Sequence, residues 1–171
     1  MAISMSQASI PAFVRMLTSL SAILDKAAQH ATSRKIDPAV LLGTRIFPDM
    51  FPLIKQVQLA CDFAKGGAAR LSGSEPPKFP DEEKTFDDLK ARIAKTIGFV
   101  KSVKVGEIDG SENRAIAIPI GGQTYNFKGQ GYLVNMVLPN LYFHATTAYA
   151  ILRHCGVELG KRDFLGPIDS I

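Results

Sequence analysis

Three histidines, two cysteines and four tyrosines are the residues of this 171-residue chain best suited to acid–base, metal or nucleophilic chemistry. His144 is the one set among apolar neighbours. Leu133, Met136, Val137, Leu141, Ala145, Ala148, Ile151 and Leu152 surround it at helical steps, so a helix here aims the ring inward. A buried imidazole needs partners for both nitrogens. Position alone offers Asn140 one turn earlier, Gln56 and Asp62 on a second striped segment, and Tyr142 and Tyr149 flanking His144. Two readings stand: a core histidine satisfied by such groups, or a ligand for a metal or small molecule at the centre of a bundle. His30 and His154 fall at expected helix C-termini, where a cation meets free carbonyls favourably. Cys155, beside Arg153 and His154, is either a reactive thiol or, as its apolar face favours, a core residue.

Other chemistry lacks its motif. There is no HExxH pair, nucleophile elbow, Walker loop or GxGxxG turn. Cys61 and Cys155 stand far apart with no CxxC pattern, so neither a zinc finger nor a disulfide framework is expected, and the setting read from them is a reducing cytoplasm. Twenty Lys+Arg against 16 Asp+Glu give a net charge of +4. The basic residues are scattered among acids, which describes a solvated surface and not a nucleic-acid face. The local excess of Arg153, His154, Lys161 and Arg162 is assigned to a helix C-terminus. With 46% hydrophobic and 21% charged residues, the chain is neither disordered nor collagen-like. No apolar run approaches the ~20 residues of a membrane span, and no secretory signal is visible.

Four helical segments must position these residues. The first carries Phe13, Leu17, Leu20 and Leu24 and runs to about His30; Pro11 either kinks it or lies in the first turn of a helix starting near Ser9. Asp37-Pro38 marks a loop with a short turn. The second opens at Pro48-Asp49, Asp49 being the N-cap, includes Phe51 in its apolar stripe, and stops at Gly73. The Gly66-Gly67 pair inside it reads as a break. A third begins around Asp81-Glu82-Glu83 and ends before Gly106. The period then changes to two through Ile116, Ile118 and Ile120, and Gly121-Gly122 signals a hairpin. The fourth spans about Gly131 to Cys155, bent where Pro139 denies Asn135 its hydrogen bond. The tail from Val157 to Ile171 reads as non-helical, with Phe164 and Leu165 folding back. The expected architecture is one all-α domain over residues 1–171: a four-helix bundle with a small β-hairpin before the last helix, in other than simple up-down order.

The stretches LPNLYFHATTAYAILRHCGVELGKRDFLG and PDMFPLIKQVQLACDFAKGGAARLSG closely resemble an uncharacterised bacterial domain-of-unknown-function family within the DinB/YfiT-like superfamily. The resemblance covers essentially the whole chain. It implies a DinB-like four-helix bundle with a long crossover, commonly a homodimer, and it supplies no established activity. The wider superfamily is similar to metal-dependent enzymes, several of them thiol transferases, whose three histidines hold zinc or nickel. On that pattern His144 matches the second histidine of an HxxxH pair, Asn140 takes the first position, and Gln56 stands near the place of the second-helix ligand. Neutral amides are poor ligands for such metals, so a hydrogen-bonded polar cluster without a cofactor is expected. Three functions follow: a small molecule bound in a pocket of Gln56, Asn140, His144 and Tyr149; a metal-dependent transferase or hydrolase whose altered ligand set is completed by Asp62 or His30; or a non-catalytic structural or stress-associated dimer.

Overall fold

The computed structural model describes residues 2–167. Helix α1 (Met5–Arg34) runs through Pro11 from Met5 instead of starting near Ser9, and it ends later than His30. Ser4 caps it, accepting from Gln7 N while the Gln7 side chain accepts from Ser4 N, and this reciprocal box holds the start ahead of Pro11. At the other end Lys35 takes a left-handed conformation and closes the last turn, so His30 lies one turn inside the helix. A short α2 (Pro38–Gly43) follows, capped by Asp37. An 18-residue window of α1 is long and apolar enough to cross a membrane by length and composition; its Phe13, Leu17, Leu20 and Leu24 are buried in the bundle.

Helix α3 (Leu53–Ser72) begins after Pro52, not at Asp49. A residue preceding proline is pushed out of helical conformation, and Phe51 is accordingly outside the helix and exposed, not in the core stripe. Gly66 and Gly67 do not break α3. A Cβ at Gly67 would lie 2.7 Å from Val137 and 3.0 Å from Phe13, so the glycine lets two neighbouring elements close on the helix. Helix α4 (Phe86–Ser102) starts at the Thr85–Asp88 capping box, several residues after the acidic run. Asp88 accepts from the backbone of Thr85 and Lys84, which fixes the start there. A single turn, α5 (Val105–Ile108), precedes the hairpin.

Strands β1 (Ala115–Ile120) and β2 (Gln123–Lys128) pair antiparallel about Gly121-Gly122, both in positive φ, with Ile116 opposite Phe127 and Ile118 opposite Tyr125. The last long helix is continuous but not uniform: α6 (Gly129–Tyr132), a π turn (Leu133–Val137), then α7 (Leu138–His154). Leu138 N–H reaches back five residues to the Leu133 carbonyl. The disturbance expected at Pro139 is thus taken up by a widened turn just before it. The tail is not wholly irregular, since α8 (Lys161–Leu165) forms with Asp163 accepting from Gly160 N. The predicted end of the tail, residues 168–171, lies outside the described residues.

Helices α1, α4, α3 and α7 form the bundle in that cyclic order. Consecutive long helices α1 and α3, and likewise α4 and α7, therefore sit on diagonals, which the long connections between them permit. The core runs down the middle through Phe13, Leu17, Leu53, Leu71, Leu89, Ile93, Leu141 and Leu152. The hairpin covers one side, and Ile116, Ile118 and Ile120 share its inward face, passing from buried to exposed towards the tip.

Candidate functional site

Helices α3 and α7 bring Gln56 and His144 together. Gln56 lies in the first turn of α3, and its Nε2 donates to the Phe51 carbonyl at 3.0 Å. That carbonyl can only accept, so the Gln56 amide is oriented with Oε1 towards α7. His144 Nδ1 stands 2.8 Å from this oxygen and must therefore carry the proton. Burial lowers the His144 pKa below its ordinary value, which keeps the ring neutral and Nε2 a bare acceptor. Among the described residues Nε2 has no side-chain or backbone partner. Phe63 stacks on the imidazole at 5.6 Å and 18°, and Phe143 meets it edge-on at 5.2 Å.

The other predicted members are elsewhere. Asn140 donates to the Met136 carbonyl at 2.7 Å, so its amide is turned onto its own helix beside the π turn. Tyr149 meets Phe164 of α8 edge-on and anchors the tail. Asp62 accepts from Lys65 at 2.8 Å and Arg92 at 2.9 Å. Tyr142 is exposed, and His30 lies near Gly156. Cys61 is fully buried and its thiol is pushed up to about 12 by burial, so it is no nucleophile. Cys155 is half-buried against the core.

Two arginines that the sequence reading passed over organise the surroundings. Arg92 of α4 is buried to 2% exposure of its side chain and pairs with Asp62 (2.9 Å), Asp81 (3.0 Å) and Glu83 (3.0 Å). Its Nη1 also donates to the Pro80 carbonyl. Burial by itself raises the Asp81 and Glu83 carboxyls, but hydrogen bonds and charge from Lys55, Gln58 and Arg92 outweigh it and hold both below their ordinary values. This hub draws in the acidic run expected to start α4. The signal was present: Arg92 lies between Leu89 and Thr96 on the apolar face, where an arginine requires buried partners.

Arg70 of α3 is different. No ion pair involves it among the described residues, and its side chain makes one hydrogen bond, Nη1 to Tyr132 Oη at 3.1 Å. A Cβ at Gly66 would lie 2.5 Å from Nη1, so the guanidinium folds back over a glycine one turn earlier. Burial raises the Tyr132 pKa more than Arg70 lowers it, and the phenol keeps its proton. Arg70 and Tyr132 close one end of a groove of about 280 Å³. Leu59 and Phe63 of α3, Ile118 and Ile120 of β1, and Met136 of the π turn wall it, and Asp62 also lines it. Phe63 thus lines this groove and also stacks on His144.

Among the described residues, no three His, Cys, Asp or Glu side chains come close enough to hold a metal. One imidazole, an amide oxygen already engaged by that imidazole, and a carboxylate tied to two cations do not fit a zinc or nickel site.

A comparison with curated proteins returns no match. The family model described as Domain of unknown function (DUF1993) matches residues 5–165. A crystal structure of a DinB family member protein from Shewanella denitrificans superposes with a TM-score of 0.89 at 40% identity, covering 97% of this chain and 94% of that one. The sequence, the bundle with its hairpin, and both matches agree: the chain belongs to the DUF1993 family and has the DinB-like fold.

Proposed function

We propose that this protein binds a small molecule without a metal, in the groove between α3, β1 and the π turn. The observation that carries the reading is Phe63, which forms a groove wall while stacked on an imidazole locked by Gln56. In this account His144 and Gln56 are positioning residues that hold the wall, and Asn140 supports the π turn that presents Met136. Tyr149 serves the tail and has no part in binding. A π turn beside a groove accords with the frequent use of such turns at functional sites. The groove's apolar walls with a few polar groups have the usual character of a ligand pocket, at the small end of the size range.

Exposed Phe47, Phe51 and Phe143 support keeping a homodimer in the proposal, and two free cysteines accord with a reducing, cytoplasmic setting. The metal-dependent alternative is not favoured, because the donor set does not fit.

Methyl-resolved NMR with octanol as a neutral probe tests the reading. Saturable shifts are expected at Ile118, Ile120 and Met136, with Ile23 and Ile93 unmoved, and Ile118→Trp should abolish them by filling the groove. Shifts spread over the surface, or unchanged in Ile118→Trp, would refute it.

A further inference from the structure

The groove is polar at one end in a particular way. Arg70 brings a permanent positive charge into a half-buried position with no carboxylate paired to it among the described residues. Its single partner, the Tyr132 hydroxyl, accepts from it and so keeps its own proton free to donate. Tyr132 is buried to 2% exposure, which fixes the position of its oxygen, and the hydroxyl hydrogen turns to meet an acceptor. Gly66 leaves the room in which the guanidinium lies, and the remaining guanidinium N–H groups have no protein acceptor among the described residues. Two adjacent donor groups, one cationic, thus line the same groove as the apolar Phe63, Ile118, Ile120 and Met136.

Asp62 does not cancel this charge. The folded-back guanidinium lies over Gly66, four residues and roughly 6 Å along the axis from Asp62, but no ion pair joins them among the described residues, and Asp62 Oδ1 is already shared by Lys65 and Arg92. Asp62 is therefore neutralised by its own cations, while Arg70 has no carboxylate paired to it among the described residues. Planar guanidinium donors match a carboxylate in two-point fashion, and such charge-assisted bonds are the strong ones in a partly dry site.

We propose that the ligand of this groove is a small apolar carboxylate, its anionic head on Arg70 and Tyr132 and its hydrocarbon body along Phe63, Ile118 and Met136. The inference rests on the binding reading above and adds the chemical class. Ile118 and Ile120 sit on a two-stranded hairpin whose tip is exposed, so the walls on that side can adjust to the length of the body.

Octanoate, octanol and octylammonium, titrated separately by calorimetry and methyl-resolved NMR, decide it. Octanoate should bind at least tenfold more tightly than octanol, and octylammonium more weakly than either. Arg70→Met and Arg70→Gln should each weaken octanoate about tenfold or more while leaving octanol within twofold; Tyr132→Phe should weaken octanoate about threefold to tenfold. Thermal melts of all three variants establish that they are folded, and either Arg70 variant suffices for the comparison. Octanol binding as tightly as octanoate, or octanoate indifferent to both Arg70 variants, would overturn the carboxylate assignment while leaving the groove a binding site. No groove shifts with any of the three probes would overturn the binding reading itself.

Discussion

Arg92 and Arg70 stand on neighbouring helices of one bundle and meet opposite surroundings. Arg92 is enclosed by Asp62, Asp81, Glu83 and the Pro80 carbonyl. Arg70 has a phenol, a glycine that makes room for it, and a groove. Burial of a charge is tolerated only when partners replace water, and Arg92 meets that requirement almost completely, with only Nε left without one. Its role is to tie the loop over residues 80–83 to α3 and α4. Arg70 is half-buried, lines the groove, and carries N–H groups with no protein acceptor among the described residues. A saturated cation organises the fold, whereas one with unanswered donors is available for recognition.

The sharpest way to break the comparison is to remove each cation. Arg92→Leu strands three carboxylates on a buried face, and loss of one partner from such a cluster costs about 3 kcal/mol or more; the partial exposure of Asp62 and Asp81 places the effect at the lower end. Urea unfolding should show the midpoint fall with little change in slope. Arg70→Met should change the unfolding free energy from the same titration by less than about 1 kcal/mol. Equal losses would erase the distinction drawn between them.

Acid titration gives an intermediate effect. Asp81 and Glu83 are held below their ordinary values in the folded protein. Their contribution is thus complete above the unfolded carboxylate values of about 4 and is lost as pH falls through the lower, folded values. His144, also lowered, works with the same sign: its contribution is present above about 6.5 and is lost as pH falls through its depressed value. Stability measured from pH 7 down to 3 should decline more steeply in the wild type than in Arg92→Leu, and no less steeply in Arg70→Met. Parallel curves for all three would detach the carboxylates from Arg92.

The smallest expected effect is the most diagnostic of geometry. Gly66→Ala adds a methyl that meets only the tip of the flexible Arg70 side chain at close range. Helix propensity favours alanine by up to about 1 kcal/mol, so the variant should be as stable as the wild type or slightly more so. Displacing the guanidinium should nevertheless weaken octanoate severalfold without any change of charge. A stable variant with full octanoate affinity would show that the folded-back position is irrelevant to binding.

Much of the fold was legible because it depends on periodicity. The apolar stripes of α1, α3, α4 and α7 and the alternation through Ile116–Ile120 survive in the structure almost residue for residue. Boundaries were less legible where two local signals competed. Asp49 and Pro52 both offer a start to α3, and the restriction that Pro52 places on Phe51 prevails. The acids at Asp81 and Glu83 suggested a helix start because local charge does not reveal that Arg92, nine residues after Glu83, draws both into its buried hub. At the site, His144 and Gln56 were found together from stripe position and resemblance. Asn140 and Tyr149 were not, since a side chain's angle around a helix does not reveal a π turn upstream or a tail that folds back onto it. The Arg70–Tyr132 pair joins residues 62 apart in sequence and has no motif that would announce it.

A crystal structure grown with octanoate tests the central claim most directly. The carboxylate should lie within hydrogen-bond distance of both the Arg70 guanidinium and the Tyr132 hydroxyl, with the chain lying against Phe63 and Ile118. Octanoate seated elsewhere, or reversed with its carboxylate towards Asp62, would contradict it.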